Sequence, residues 1–203
     1  MFSSIWKRYG ARGIVWNVLL KVAGALSGLK HLQVHRMLAR DVEAGDGADA
    51  AHGLIRELRY ADFTAGADKD PARLTPDCLA QLQRRFGQPG YLCFGCVEQG
   101  VVAAYGWISL NVFPRTDKKL KPADGVLFDD YTNPAFRGRG LHRGLIDYRL
   151  RQLAAHGKTR ALAFVDIYNR ASYRGFLVCG FRCVQRFVKY FRKGKEISKL
   201  RYE

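Results

Sequence analysis

The stretch that most restricts what this chain can fold into runs from Val126 to Ala155. Val126 to Thr132 reads as a strand, and Asn133-Pro134 breaks it. Two glycines follow, Gly138 and Gly140, flanked by Arg137 and Arg139. Then Leu141 to Ala155 puts Leu141, Leu145, Ile146, Leu150 and Leu153 on one helical face, and Gly157 ends the helix. The glycines let the backbone come close to a ligand, and the first turn of the helix offers free N–H groups and the positive end of its dipole. The segment therefore reads as a pyrophosphate cradle. It is not a dinucleotide fingerprint, which needs a third glycine where Arg143 stands. Gly157-Lys158-Thr159 also fails as a P-loop, because Gln152 occupies the first glycine position and a helix precedes it.

The surrounding pattern fits one α/β core plus an extension, which is what 203 residues allow. Leu54 to Tyr60 reads as a first strand. Thr75 to Phe86 reads as a helix with Thr75 as N-cap, Pro76 at its first position and Gly87 as its stop. Tyr91 to Val97 and Val101 to Leu110 form a hairpin around Glu98-Gln99-Gly100. Ala161 to Asp166 is a further strand, Asn169 to Val178 a short helix, and Phe181 to Phe191 pairs with Ile197 to Tyr202 around Lys193-Gly194.

Ahead of this core, residues 1–40 carry seven Lys or Arg and no acidic residue, with apolar residues at helical spacing. They read as a basic amphipathic helical extension. Its uncharged runs are too short to span a bilayer, so it is expected to lie on an anionic membrane surface, on the domain or on a second copy in a homodimer. Residues 41–53, rich in Gly, Ala and Asp, read as a linker, and the catalytic domain as residues 54–203. The net charge of +16 favours anionic partners without choosing among nucleotides, phospholipid headgroups and nucleic acid. The absence of a recognised nucleic-acid motif weighs against the last.

Five cysteines and no evident signal peptide point to a reducing cytoplasm, at the inner membrane face if the extension binds lipid. Cys93 and Cys96 form a C-x-x-C inside a strand pattern, so they read as buried strand thiols; a zinc site shared with Cys179 and Cys183 is the alternative.

The loop resembles the signature of the GNAT superfamily of N-acyltransferases: Arg or Gln, two residues, Gly, one residue, then Gly or Ala. Arg137 and Gly140 match, as do Pro134 and Phe136 before them, while His142 replaces the final small residue. A second block, Asn169, Ser172, Phe176 and Gly180-Phe181, repeats the family's spacing of Asn, Ala or Ser, Tyr and a closing Gly-Phe. The resemblance implies an α/β fold with a central, mostly antiparallel sheet, a splayed parallel pair made by Val126 to Thr132 and Ala161 to Asp166, and helices on both faces. It implies acetyl-CoA as cosubstrate and no metal. The donor would be held by Thr132, Arg137, Gly138, Arg139, Gly140, Leu141, His142, Asn169, Ser172 and Phe176. Read without the resemblance, the glycines mark a turn, the arginines a solvated rim, the phenylalanines core and Asn169 a helix N-cap.

The same resemblance implies direct attack of an amine on the thioester, with the carbonyl polarised by the backbone N–H near Thr132. The ammonium must first lose a proton; strand alternation groups Asp129 with Leu127 and Tyr131, the face that the resemblance implies carries the family's base, making Asp129 the candidate base. Where many members carry a thiolate-protonating Tyr, this chain has Phe176. The thiolate then leaves unassisted, or Tyr173 or Tyr168 replaces that acid. Three functions follow: acetyl transfer to a small amine such as an amino-sugar or cell-envelope intermediate, transfer from a longer acyl-CoA or an acyl carrier protein, and non-catalytic membrane or nucleic-acid binding.

Overall fold

The computed structural model describes residues 31–42, 54–114, 118–166, 168–192 and 195–196. They fall into two compact units, one of residues 40–163 and one combining residues before 40 with residues from 164 onward.

The unit of residues 40–163 is built on a hairpin of β3 (Tyr91–Glu98) and β4 (Val101–Ser109). Its two-residue turn places Gln99 at φ 54 and Gly100 at φ 73. Left-handed backbone at both positions gives the twist a tight hairpin needs. The short β2 (Arg56–Glu57) pairs with the outer edge of β3, and β5 (Asp124–Thr132) adds antiparallel to β4. β6 (Arg160–Asp166) then pairs parallel to β5 from Asp124↔Arg160 to Leu127↔Ala163, where the ladder stops. Parallel neighbours need a crossover, and the 15-residue helix Leu141–Ala155 provides it.

Helices α1 (Tyr60–Thr64) and α2 (Pro76–Phe86) lie on one face, and α3 (Leu141–Ala155) on the other. Consecutive residues of β3 separate the two: Cys93 joins the core of Phe63, Leu82, Tyr105 and Trp107, whereas the ring of Phe94 lies 5.4 Å from Tyr148 on α3. Thr75 caps α2 by accepting from the Cys78 N–H, as the sequence predicts. The expected first strand, Leu54 to Tyr60, is cut to two residues, because Tyr60 opens α1. Asp62 accepts from the Arg59 N–H at 2.8 Å and pairs with Arg56 at 2.6 Å, which fixes the helix start there.

In the second unit, β1 (His31–Asp41) and β7 (Arg182–Arg192) pair antiparallel from His31↔Phe191 to Ala39↔Arg182. β8 (Lys195–Glu196) pairs with the end of β7, and α4 (Arg170–Val178) precedes it. This corrects the reading of residues 1–40 as helical throughout, and of a linker starting at Asp41. Leu32 and Val34 alternate with Gln33 and His35, a period of two that the basic composition obscured. Residues 1–30 and 43–53, hence the rest of the extension and linker, lie outside the described residues, as do residues 197–203 of the expected terminal hairpin.

Candidate active site

The strand-to-helix loop is formed as expected. Asn133 closes β5 by accepting from the Ala135 N–H at 3.0 Å, which sets a short 3-10 turn over Pro134–Phe136. Gly138 at φ 79 and Gly140 at φ 75 then turn the chain into α3, with Gly140 as its N-cap. A Cβ on either glycine would meet nothing within 4 Å. Their backbone therefore faces open space, as an approaching anion requires, and it is the left-handed conformation that selects glycine. Arg137 is exposed, and its Nε donates to the Thr132 carbonyl at 3.3 Å, tying the loop to the end of β5. Arg139 pairs with Glu98 at 2.9 Å and lies over the Phe136 ring. Leu141 is buried, and His142 sits half-buried in the first helical turn. Thr132 and the loop from Arg137 to His142 thus lie together within the unit of residues 40–163, joined by the Arg137 hydrogen bond.

Beneath the loop, β5 departs from regular geometry. Tyr105↔Tyr131 and Trp107↔Phe128 are register pairs, so Gly106 alone faces both Asp129 and Asp130. This is a β-bulge, with Asp129 at φ 52. Asp130 points to the α3 face: Arg149 Nη1 lies 2.5 Å from its Oδ1, and His142 Nε2 is 3.2 Å from its Oδ2. Burial alone would raise the Asp130 carboxyl, but Arg149 and His142 outweigh it and hold the group well below the usual carboxylate range.

Asp129 points the other way. Arg85 Nη1 donates to its Oδ2, and Arg73 Nη2 lies 3.9 Å from its Oδ1. The bulge overturns the alternation that grouped Asp129 with Leu127: Phe128 and Asp129, consecutive in the chain, both meet Arg85, whose guanidinium lies 5.6 Å from the Phe128 ring. Nor does Asp129 stand as an unencumbered base. The buried Arg85 and the nearby Arg73 both face its carboxylate.

Sequence reasoning missed the polar cluster around Asp129. Tyr131 donates its hydroxyl to Asp70 Oδ2 at 2.9 Å, and Asn133 Nδ2 donates to the same oxygen at 3.1 Å. Asp70 is thus gripped by the two residues that flank Thr132. Arg73 donates to the Tyr105 hydroxyl and lies 4.9 Å from the Tyr131 ring. Burial pushes both phenols well above their usual range, reinforced at Tyr131 by Asp70 and at Tyr105 by Asp129. Both stay protonated and act as hydrogen-bond donors or acceptors, not as phenolates. Asp70 and Arg73 lie between α1 and α2 in a segment without periodicity.

The remaining candidates lie in the other unit. Asn169 Oδ1 accepts from the Ser172 N–H at 3.3 Å and caps α4. Phe176 is buried edge-on against Phe181 with ring centroids 5.0 Å apart, a core position. The Tyr173 ring carries the Arg36 guanidinium 4.3 Å above it, and Tyr168 is held above the ordinary phenol range by burial and Asp166. Cys93 and Cys96 are buried free thiols in β3, as their pattern suggested.

A family model described as the Acetyltransferase (GNAT) family matches residues 54–181. Among solved structures, the chain is similar to a protein named for the GNAT acetyltransferases from Novosphingobium aromaticivorans, at 19% identity and TM-score 0.59, covering 79% of this chain and 64% of that one. It is similar to a GNAT-family acetyltransferase from Colwellia psychrerythraea, at 16% identity and TM-score 0.57, covering 83% and 60%. A functionally unknown conserved protein from Staphylococcus epidermidis matches at 10% identity and TM-score 0.60, covering 88% and 68%. These identities show a shared fold, and the chain spans less than two thirds of the first two proteins. No curated protein matches it.

Proposed function

Since the chain belongs to the GNAT acetyltransferase family, we propose that it transfers an acetyl group from acetyl-CoA to the primary amine of a small molecule by direct attack. The observation that carries this reading is the loop at Gly138 and Gly140, whose left-handed backbone opens onto free space at the N-terminus of α3. Its N–H groups and dipole suit the donor's pyrophosphate, with Arg137 and Arg139 beside them. The amine nitrogen attacks the thioester carbonyl carbon, the carbonyl electrons move onto its oxygen, which accepts a hydrogen bond from the backbone N–H near Thr132, and collapse breaks the C–S bond and releases CoA thiolate. The amine's proton passes to a carboxylate of the Asp70–Asp129 cluster, directly or through water.

Of these two carboxylates Asp70 is the better placed. Among the described residues its side-chain hydrogen-bond partners are the neutral Tyr131 and Asn133, whereas Asp129 balances Arg85 and Arg73. A cation-accepting carboxylate among tyrosines suits an amine carried on a polar scaffold, such as an amino-sugar. The net charge of +16 supports a second donor, an acidic acyl carrier protein.

Thiol release measured over acetyl-CoA, longer acyl-CoAs and acyl carrier protein, against a panel of amines, tests the proposal. Acetyl-CoA with an amino-sugar should give amine-dependent release. Asp70→Asn should lower kcat by about 10²-fold or more with little change in donor affinity, and Asp129→Asn should act mainly through stability. Release that never depends on an amine would sink the transferase reading.

A further inference from the structure

Arg149 is used by no step above, yet it is the most unusual side chain in the unit. It projects from α3 with 0% exposure, on a helix whose other buried residues are Leu141, Gly144, Leu145, Ile146, Leu150 and Leu153. Its Nε donates to the Leu145 carbonyl at 3.0 Å, and its Nη1 donates to the Trp107 carbonyl at 3.2 Å and faces Asp130 Oδ1 at 2.5 Å. Nη2 has no hydrogen-bond partner among the described residues. A buried ion pair left partly unsatisfied adds little to stability compared with apolar residues of the same volume. Its presence calls for another explanation.

Its location supplies one. Trp107 is the β4 residue next to the bulge, and Asp130 is half of the bulge itself. Gly106, the residue opposite, has no side chain because a Cβ there would lie 2.5 Å from Arg149 Nη1 and 2.7 Å from Asp130 Oδ1. The guanidinium therefore fills the break in the β4–β5 ladder and grips both strands at once. Asp130 also receives His142, in the first turn of α3 beside the glycine loop. Two residues beyond the bulge is Thr132, whose N–H direction depends on how the bulge is set.

We propose that Arg149 is a positioning residue for acyl transfer: through Asp130 and the Trp107 carbonyl it locks the β5 bulge and so aims the backbone of Thr132 at the thioester. This rests on the reading of β5 as the site of attack. The family match assigns no role to Arg149, and the planar, forked guanidinium is needed because a single ammonium cannot reach Leu145, Trp107 and Asp130 together.

The test replaces both charges at once, Arg149→Met with Asp130→Leu, in the full chain, since removing a buried pair together is often neutral to stability where removing one partner is not. The expected variant is folded and binds acetyl-CoA within about threefold of wild type. Its kcat should fall by about 10²-fold, the size expected when reacting groups are held slightly out of line. Hydrogen exchange at residues 129–132 should quicken while the β3–β4 hairpin keeps its protection. Arg149→Lys, which retains the charge, should show the same split in milder form and serves if the double variant does not fold. A folded variant with wild-type kcat, or a loss of protection spread evenly over the sheet, would overturn the proposal. If wild type transfers acetyl to no amine, the functional reading fails by itself, and the exchange measurement alone decides whether Arg149 sets the bulge.

Discussion

Placing a carboxylate in the glycine loop separates donor binding from fold stability. In Gly140→Glu the new Cβ meets nothing within 4 Å, so the substitution adds no clash. What it adds is backbone strain, because residue 140 sits at φ 75. A non-glycine residue in that region costs about 1–2 kcal/mol, which lowers the melting temperature of the free protein by roughly 2–8 °C for a chain of this size. Donor linkage is the larger quantity. If it is the donor, acetyl-CoA at about 100 times its Kd should stabilise wild type by about 2.7 kcal/mol, or roughly 5–11 °C. In the variant a carboxylate occupies the helix N-terminus that the pyrophosphate needs, and the shift should vanish. Gly157→Glu is the matched control. Residue 157 also lies at positive φ, 71, with nothing within 4 Å of its Cβ, but at the far end of α3. It should be destabilised comparably and keep the full donor shift. Thermal melts of the three proteins with and without acetyl-CoA decide the matter: a shift that survives in Gly140→Glu, or is lost equally in Gly157→Glu, refutes the placement of the donor phosphates.

Tyr173→Phe keeps the ring beneath Arg36 and should change kcat by no more than about threefold, whereas a lost general acid would cost about 10²–10⁴-fold in the same thiol-release assay. Removing residues 1–30 leaves β1 intact and deletes five basic residues; if that segment binds anionic membranes, at about 1 kcal/mol per basic residue, co-sedimentation with anionic liposomes should be salt-sensitive in the full chain and absent after truncation. Gly106→Ala must push a methyl against a guanidinium with no exposed surface to move into, and should destabilise by about 1–3 kcal/mol in denaturant melts. Because the folded state holds Asp130 below its unfolded value of about 3.9, its contribution is complete above that pH and is lost as pH falls below it. The Arg149→Met, Asp130→Leu double variant should therefore lose less stability than wild type between about pH 5 and pH 2.

Local signals were read correctly where the chemistry that sets them is local. Thr75 and Pro76 start α2, Gly157 ends α3, and Gln99-Gly100 turns the hairpin, each within a few residues of its cause. The glycine loop was legible for the same reason. β1 was not, because its partner β7 lies at the opposite end of the sequence, and its apolar residues continue a basic segment whose spacing also suits a helix. The Asp70 and Arg73 cluster was invisible because nothing in a polar segment between two helices announces which strand it will meet.

The error at Asp129 has a more specific origin. Strand alternation holds only while each residue has one partner, and Gly106 leaves β5 with one residue more than β4 can match. An isolated glycine within an otherwise bulky strand is itself a bulge signal, so Gly106 between Tyr105 and Trp107 was the available clue. The extra residue sends Asp129 to Arg85 and Arg73 on the α2 face, and Asp130 to Arg149 and His142 on the α3 face. One carboxylate is thereby joined to the cluster proposed to receive the acceptor, and its neighbour to the helix proposed to receive the donor. The bulge is a piece of backbone common to both. Acyl transfer needs donor and acceptor aligned within a fraction of an ångström, so in the proposed reaction the two ion pairs would serve mainly to hold that backbone in place, since buried pairs add little to stability by themselves.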